Sequence, residues 1–139
     1  MSIEDNKALI RRIVEEVWNN WSLKALHELY AKDYIDHIRP PGEPQGTAGL
    51  EKIFHEWRAA FPDWTITVES MIAEGDLVAA HMTGRGTHKG EYMGIASTGR
   101  QTVGPGIEIF RVAGGQVVEF WASVNELDMF RQMGMLPLK

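Results

Sequence analysis

The stretch Gly106 to Asn125, GIEIFRVAGGQVVEFWASVN, constrains this chain more than any other, because two strands must pair through a very short turn. Ile107 to Val112 and Val117 to Val124 are rich in β-branched and aromatic residues, and Gly114-Gly115 between them is a hairpin signal. Loop length decides which side chains share a face. A two-residue loop pairs Phe110 with Glu119 and Val112 with Val117, mixing apolar and charged residues. A three-residue loop, Ala113 to Gly115, with Gly115 in the left-handed position of a bulge, pairs Val112 with Val118, Phe110 with Phe120 and Glu108 with Ala122. The second register is preferred. It collects Phe110, Val112, Val118, Phe120, Ala122 and Val124 on one face and sets Arg111 opposite Glu119 on the other. It also leaves Glu108 on an otherwise apolar surface, where a charge needs a partner or must neutralise. The alternative is a Glu108 near the strand end, in water or hydrogen-bonded to a neighbour.

Upstream, the hydrophobic period is helical. Ser2 with Asp5 marks a helix start, and Leu9, Ile10, Ile13, Val14, Val17, Trp18 and Trp21 recur at helical spacing, which predicts one long amphipathic helix. Ser22 caps a shorter helix with Leu23, Leu26, Leu29 and Tyr30 on its buried side. A loop over Pro40 to Pro44 precedes a third helix, Thr47 to Phe61, which Pro62-Asp63 ends.

From there the period changes to two. Thr65 to Ala73 alternates Ile66, Val68, Ser70 and Ile72 against Thr65, Thr67, Glu69 and Met71, and Glu74-Gly75-Asp76 is a turn. Leu77 to His88 places Val78, Ala80, Met82 and His88 on one side. A loop from Lys89 to Gln101 leads into the hairpin, and Glu126 to Met133 is a closing helix stopped by Gly134. Helices followed by a run of strands mean an α+β layer fold with a curved sheet over N-terminal helices. Such a roof is expected to enclose a hydrophobic cavity of roughly 300 Å³ or more.

The 139 residues suffice for a single domain, 1–139, with a sizeable core. A net charge of −5 with both signs interspersed leaves no basic stripe for nucleic acid. There are no cysteines, which removes disulfides, thiolate catalysis and zinc–thiolate sites. A charged N-terminus and the lack of a membrane-length apolar run predict no membrane partner and a cytoplasmic protein.

Several motifs fail on context. GRGTHKG, Gly84 to Gly90, resembles a phosphate-cradling loop, but it ends a strand without opening a helix. The five histidines, His27, His37, His55, His81 and His88, show no HxxxH or HxH spacing, so no metal is expected. No GxSxG elbow is present. Acid–base chemistry survives, with Asp36-His37 in DYIDH placed where a side chain can turn under the sheet or remain a polar loop dipeptide.

The phrases NKALIRRIVEEVWN, ELYAKDYIDH, AAFPDWTITVESMIAEGDLVAAHMTGRGTHKGEYMGIASTGRQ and IFRVAGGQVVEFWASVNELDMFRQMG together resemble the SnoaL-like polyketide cyclases. These belong to the nuclear transport factor 2-like superfamily of cone-shaped α+β barrels. The most specific pieces are GTHKG, the Gly-Ile-x-x-Thr-Gly run from Gly94 to Gly99, and the Arg-x3-Gly-x3-Glu-x-Trp frame from Arg111 to Trp121.

The resemblance implies an intramolecular aldol ring closure on a polyketide ester, without metal or cofactor. A cavity carboxylate would remove a proton beside a carbonyl while polar neighbours hold the enolate. It also implies an aspartate where this chain has Ala122, a histidine at Phe120, a histidine at Glu108 and an asparagine at Asp36. The frame is kept and the chemistry is changed.

Three readings follow. The first is a cofactor-independent enzyme acting on a hydrophobic carbonyl compound. Glu108 is its base, Asp36 the second carboxyl, and His88 or Tyr92 the donor to oxygen. The expected lining is Trp18, His37, Phe54, Trp57, Met82, Phe110, Phe120 and Ala122, with Tyr92 at the mouth. Epoxide hydrolysis, a variant of this reading, needs an inward Arg111, and the register faces Arg111 outward. The second reading is a small-molecule-binding module without catalysis, having lost the carboxylate at Ala122. The third is an interaction protein. Ile107, Ile109 and Trp121 share the outer face of the hairpin, so a homodimer is expected under all three.

Overall fold

The computed structural model describes residues 1–134. Four α-helices and five strands follow in chain order: α1 (Ile3–Arg12), α2 (Leu23–Leu29), β1 (Tyr30–Asp36), α3 (Gly46–Ala60), β2 (Thr65–Glu74), β3 (Leu77–Thr87), β4 (Gln101–Ala113), β5 (Gln116–Val124) and α4 (Glu126–Gln132). The strands form one curved sheet of order β1-β5-β4-β3-β2, in which β1 runs parallel to β5 and every other neighbour is antiparallel. No helix among the described residues is long and apolar enough to cross a membrane.

The helix starts are read correctly from the sequence. Ser2 and Asp5 exchange side-chain bonds with each other's backbone in a full capping box, and the Ser22 hydroxyl accepts from Ala25 N–H. The long first helix is not uniform. After Arg12 it widens into a π-helical turn over Ile13–Asn19, and Ser22 N–H closes back on Glu16 C=O at 2.9 Å. That closure holds Trp21 at φ +54°, a left-handed conformation uncommon for a bulky residue. Helix α1, the π-helical turn, α2 and the middle of α3 then pack Ile10, Val17, Leu26 and Phe54 against Val78, Ala80, Met82 and Phe110 of the sheet.

Three expectations about strands are corrected. The hairpin turn has two residues, not three: Gly114 (φ +58°) and Gly115 (φ +75°) form it, and Val112 pairs with Val117. A bulge at Val118 then shifts the register, so Arg111 faces Glu119, Phe110 faces Phe120 and Glu108 faces Ala122 as expected. The bulge achieves what the longer loop was expected to do. In β2 a second irregularity lies between Val68 and Ser70, which turns Met71 and Ala73 inward and leaves Ile72 72% exposed. The strict alternation through Ser70 and Ile72 therefore breaks. Finally, Tyr30–Asp36, expected as a helix end and loop, is the edge strand β1.

Strand β4 begins six residues before Ile107, through Gly104-Pro105-Gly106. Its ladder with β5 starts only at Gly106, so Pro105 pairs on the β3 side alone. The glycine-rich GRGTHKG segment has a packing explanation. A methyl group on Gly84 would fall inside the Trp64 ring, and one on Gly86 would come within 2.8 Å of the same indole. These glycines let Trp64 lie flat on the sheet, where it joins Ala60, Phe61, Met129 and Met133 in a second apolar cluster.

Candidate functional site

Period two on β1 sends Tyr34 and Asp36 to the same, inner face, and both are buried. The parallel ladder sets Asp36 beside Phe120, two rungs from the cross-strand row Ala80, Glu108 and Ala122 and on the same face. Gln45, just before α3, finishes the edge strand. Its amide oxygen accepts from Asp36 N–H at 2.8 Å and its amide nitrogen donates to Asp36 C=O at 3.0 Å. The Asp36 carboxylate accepts from Ile38 N–H at 3.0 Å and from the Tyr34 hydroxyl at 3.3 Å.

Glu108 is half-buried among Ala80, Phe110, Phe120 and Ala122. Burial, then the negative charge of Asp36, push its pKa up to about 7, and no cation or hydrogen bond offsets them. Two phenols complete the group. Tyr30 stacks obliquely on Tyr34 with ring centroids 5.1 Å apart. Burial chiefly, with the charge of Glu108 second, raises the Tyr30 phenol far above its ordinary value, and the nearby Trp18 side chain only partly opposes the rise. Burial likewise raises Tyr34, with its electrostatic coupling to Tyr30 and the negative charge of Asp36 adding to it. Both phenols are therefore un-ionised donors at neutral pH. An apolar wall holding one carboxyl that titrates near neutrality and two protonated phenols can take a proton from carbon and hydrogen-bond the oxygen that gains charge.

Neither tyrosine was expected in the site. The spacing Tyr34-x-Asp36 carries the signal once the segment is taken as a strand. Of the expected lining, Phe54, Met82 and Phe110 are buried core, and Trp18, Phe120 and Ala122 are half-buried around it.

The remaining candidates lie elsewhere. His37 follows Asp36 and points to the opposite face of the sheet, where it stacks on Trp121 at 4.8 Å and 8° and contacts Glu119 at 2.6 Å through Nε2. Arg111 joins it there, donating to Glu119 at 3.0 Å and to Asp76 at 2.8 Å, so its outward placement holds. His88, Tyr92 and Trp57 belong with Phe61 in the second cluster. Seven rungs of the β3–β4 ladder separate Ala80, opposite Glu108, from Thr87, next to His88. At about 3.3 Å per residue that is roughly 23 Å along the strand, so the expected partnership of His88 or Tyr92 with Glu108 is not formed.

Two surface hollows, of about 400 and 470 Å³, lie apart from Glu108: one between Ile3, Asn6, Asp76 and Val112, the other along His81, Pro105, Ile107 and Ser123. Among the described residues no group of three histidine, aspartate or glutamate side chains stands ready to hold a metal ion.

Comparison with solved structures places this architecture firmly. The chain superposes on TsrD from Streptomyces laurentii with a TM-score of 0.89 at 24% identity, covering 98% of this chain and 99% of that one, a likeness of fold. AclR from Streptomyces galilaeus, a candidate hydroxylase, gives 0.86 at 31% identity over 99% and 86% of the two chains. IdmH from Streptomyces antibioticus, a candidate polyketide cyclase, gives 0.81 at 34% identity over 93% and 98%. A search of curated proteins finds no match. The family model described as SnoaL-like polyketide cyclase matches residues 8–133, nearly the whole of the described chain. With the sheet order, the helical roof and the inward carboxylates already accounted for, the chain belongs to the SnoaL-like polyketide cyclase family.

Proposed function

We propose that this protein binds a hydrophobic carbonyl compound in a cavity on the inner face of the sheet and catalyses cofactor-independent aldol-type ring closure by acid–base chemistry. The observation that carries the reading is Glu108, a carboxyl with a pKa of about 7 beside Asp36 in an apolar lining. The likeness to IdmH supports the substrate class.

Glu108 takes the proton from a carbon next to a carbonyl. The Tyr30 hydroxyl, buried and un-ionised beside Glu108, donates to the enolate oxygen. The enolate carbon attacks a second carbonyl of the same chain, a carbon–carbon bond forms, and protonated Glu108 returns its proton to the new alkoxide. Atoms balance without an added reagent. Asp36, which holds the Tyr34 hydroxyl, is a positioning residue.

The test is α-proton exchange. A β-keto ester incubated in heavy water should lose its α-proton signal with the native chain, and Glu108→Gln should slow that loss at least a hundredfold. Unchanged exchange in Glu108→Gln would remove the proposal.

A second reading, a binding module without turnover, is favoured by one observation. Ala122 supplies no functional group where the family resemblance places an aspartate. Recovery of a carbonyl compound unchanged after long incubation, with no α-proton exchange, would select it.

The proposal extends to a homodimer through the outer sheet face. Ile107 is 54% exposed and Ile109 37%, and they flank Trp121. An apolar strip there, bordered by the Arg111–Glu119 ion pair and the His37 ring, suits a second copy of the chain.

A further inference from the structure

His88 is fully buried, and its ring carries a donor with nowhere to go. Thr98 N–H reaches Nδ1 at 3.3 Å, and the Thr98 hydroxyl lies 2.9 Å from the same nitrogen. A backbone N–H can only donate, so Nδ1 holds the lone pair and the neutral ring bears its proton on Nε2. The hydroxyl is free to donate as well, since its oxygen already accepts from Arg100 N–H at 3.3 Å. Backbone geometry thus sets the tautomer. Among the described residues Nε2 has no partner, although nearly all buried donors in folded proteins are satisfied.

The surroundings suit a neutral, flat acceptor. The Phe61 ring lies 5.6 Å from the imidazole, Tyr92 lies 5.6 Å from Phe61, and Trp57 meets Tyr92 edge-on at 5.1 Å. Rings at these distances already touch, so a further ring enters only by displacing a neighbouring side chain, and an anion there would face desolvation among rings and thioethers. The cover is α4, which seals the cluster with Met129 and Met133, unbranched side chains that repack easily. Its polar tie to the sheet is Gln132, whose amide oxygen accepts from Val103 N–H at 2.7 Å and whose amide nitrogen donates to Val103 C=O at 2.8 Å. That tie uses a part of β4 that has no β5 partner, so water can replace it when α4 moves.

We propose that His88 Nε2–H and the rings around it form a second small-molecule site, at the opposite end of the sheet from Glu108, which binds an aromatic ketone through its carbonyl oxygen and is entered when α4 lifts. The ketone oxygen supplies the acceptor that Nε2–H lacks, and the ring of the ligand takes the place of methionine side chains against Phe61.

The experiment is ¹H–¹⁵N NMR of the full chain, following the His88 Nε2–H resonance during titration with 2-acetonaphthone. A parallel titration uses 2-isopropylnaphthalene, which has a similar shape and no acceptor. The ketone should move the Nε2–H proton downfield and bind at least tenfold tighter than the hydrocarbon. His88→Phe should abolish that preference, and Gln132→Ala should speed association several-fold. If His88→Phe does not fold, the two titrations of the native chain still decide the question. Equal affinity for both probes, or an Nε2–H resonance that stays in place at saturation because a trapped water holds it, would overturn the proposal. Glu108→Gln should bind the ketone with the same shift, which separates this site from the acid–base reading.

Discussion

Ala122 lies directly across the β4–β5 ladder from Glu108, on the inner face of the sheet. Directly opposed side chains in such a ladder have Cβ atoms about 4.5–5.5 Å apart. Ala122→Asp would therefore place two carboxylates face to face and drive one of them further towards the neutral form. The variant should shift the Glu108 titration above about 7 and lose on the order of 1 kcal/mol of stability above neutral pH. Carboxyl ¹³C chemical shifts across a pH series check this. An unmoved Glu108 titration would contradict the facing geometry, and faster cyclisation of a polyketide ester would show that position 122 limits the reaction.

Glu108 also makes stability depend on pH. Its folded pKa of about 7 lies above the ordinary 4.5, so between those values the folded chain binds more protons than the unfolded one. Stability from this group should fall as pH rises from about 4.5 to 7 and stay lower beyond. Glu108→Gln should flatten that fall and stabilise the protein at pH 8 by about 1–3 kcal/mol, after discounting for partial exposure. Urea denaturation at pH 5 and pH 8 measures it, with a wild-type stability that rises over this window as the contrary result. Turnover should rise with the opposite sense, through pH 7, as the carboxyl ionises.

Tyr30→Phe keeps the buried ring and deletes the hydroxyl beside Glu108 and Trp18. Loss of one enolate donor should lower turnover by roughly 10²-fold with little change in KM. Steady-state kinetics and circular dichroism together separate this from unfolding; full activity in a folded Tyr30→Phe chain would assign the donor elsewhere.

On the outer face, Ile107→Asp should give a monomer in sedimentation velocity with thermal stability near that of an isolated subunit, because the side chain is 54% exposed within one chain. A native protein that sediments as a monomer at all concentrations would remove the dimer proposal.

Gly84→Ala tests the role of the glycine-rich segment. The added methyl has no room beside the Trp64 indole. Overpacking of this kind costs about 1–3 kcal/mol, so the urea midpoint should drop clearly. Gly75→Ala has open space around it, and only its left-handed backbone, φ +58°, opposes the change, at about 1–2 kcal/mol. Trp64→Ala combined with Gly84→Ala should show non-additive losses, since the two changes share one contact.

Much of this fold is legible locally. Ser2 with Asp5 and Ser22 announce their helices because a cap bonds within a few residues of itself. Gly114-Gly115 announces the hairpin because both positions need positive φ. The inward face carrying Phe110, Glu108, Phe120 and Ala122 was also readable, but for an incomplete reason, since the bulge at Val118 rather than a longer loop aligns it. Bulges at Val118 and between Val68 and Ser70 leave no composition signal, as each residue in them is an ordinary strand former. Tyr30–Asp36 misleads for a related reason: Leu26, Leu29 and Tyr30 continue a helical spacing that ends only because β5 offers this segment a ladder.

Sequence by itself determined the helix starts, the hairpin and the strands before it, which face of the hairpin is apolar, and that Glu108 interrupts it, but not the strand β1. Only the tertiary structure decided what stands beside that carboxyl. The parallel pairing of β1 with β5 brings Asp36, Tyr34 and Tyr30 to Glu108, sends His37 through to the outer face, and leaves His88 and Tyr92 at the far end with Trp57. Caps and turns are satisfied by neighbours in the chain. A parallel ladder joins segments far apart in sequence, and its hydrogen bonds come from backbone groups that every residue shares, so no local pattern encodes which strands will meet.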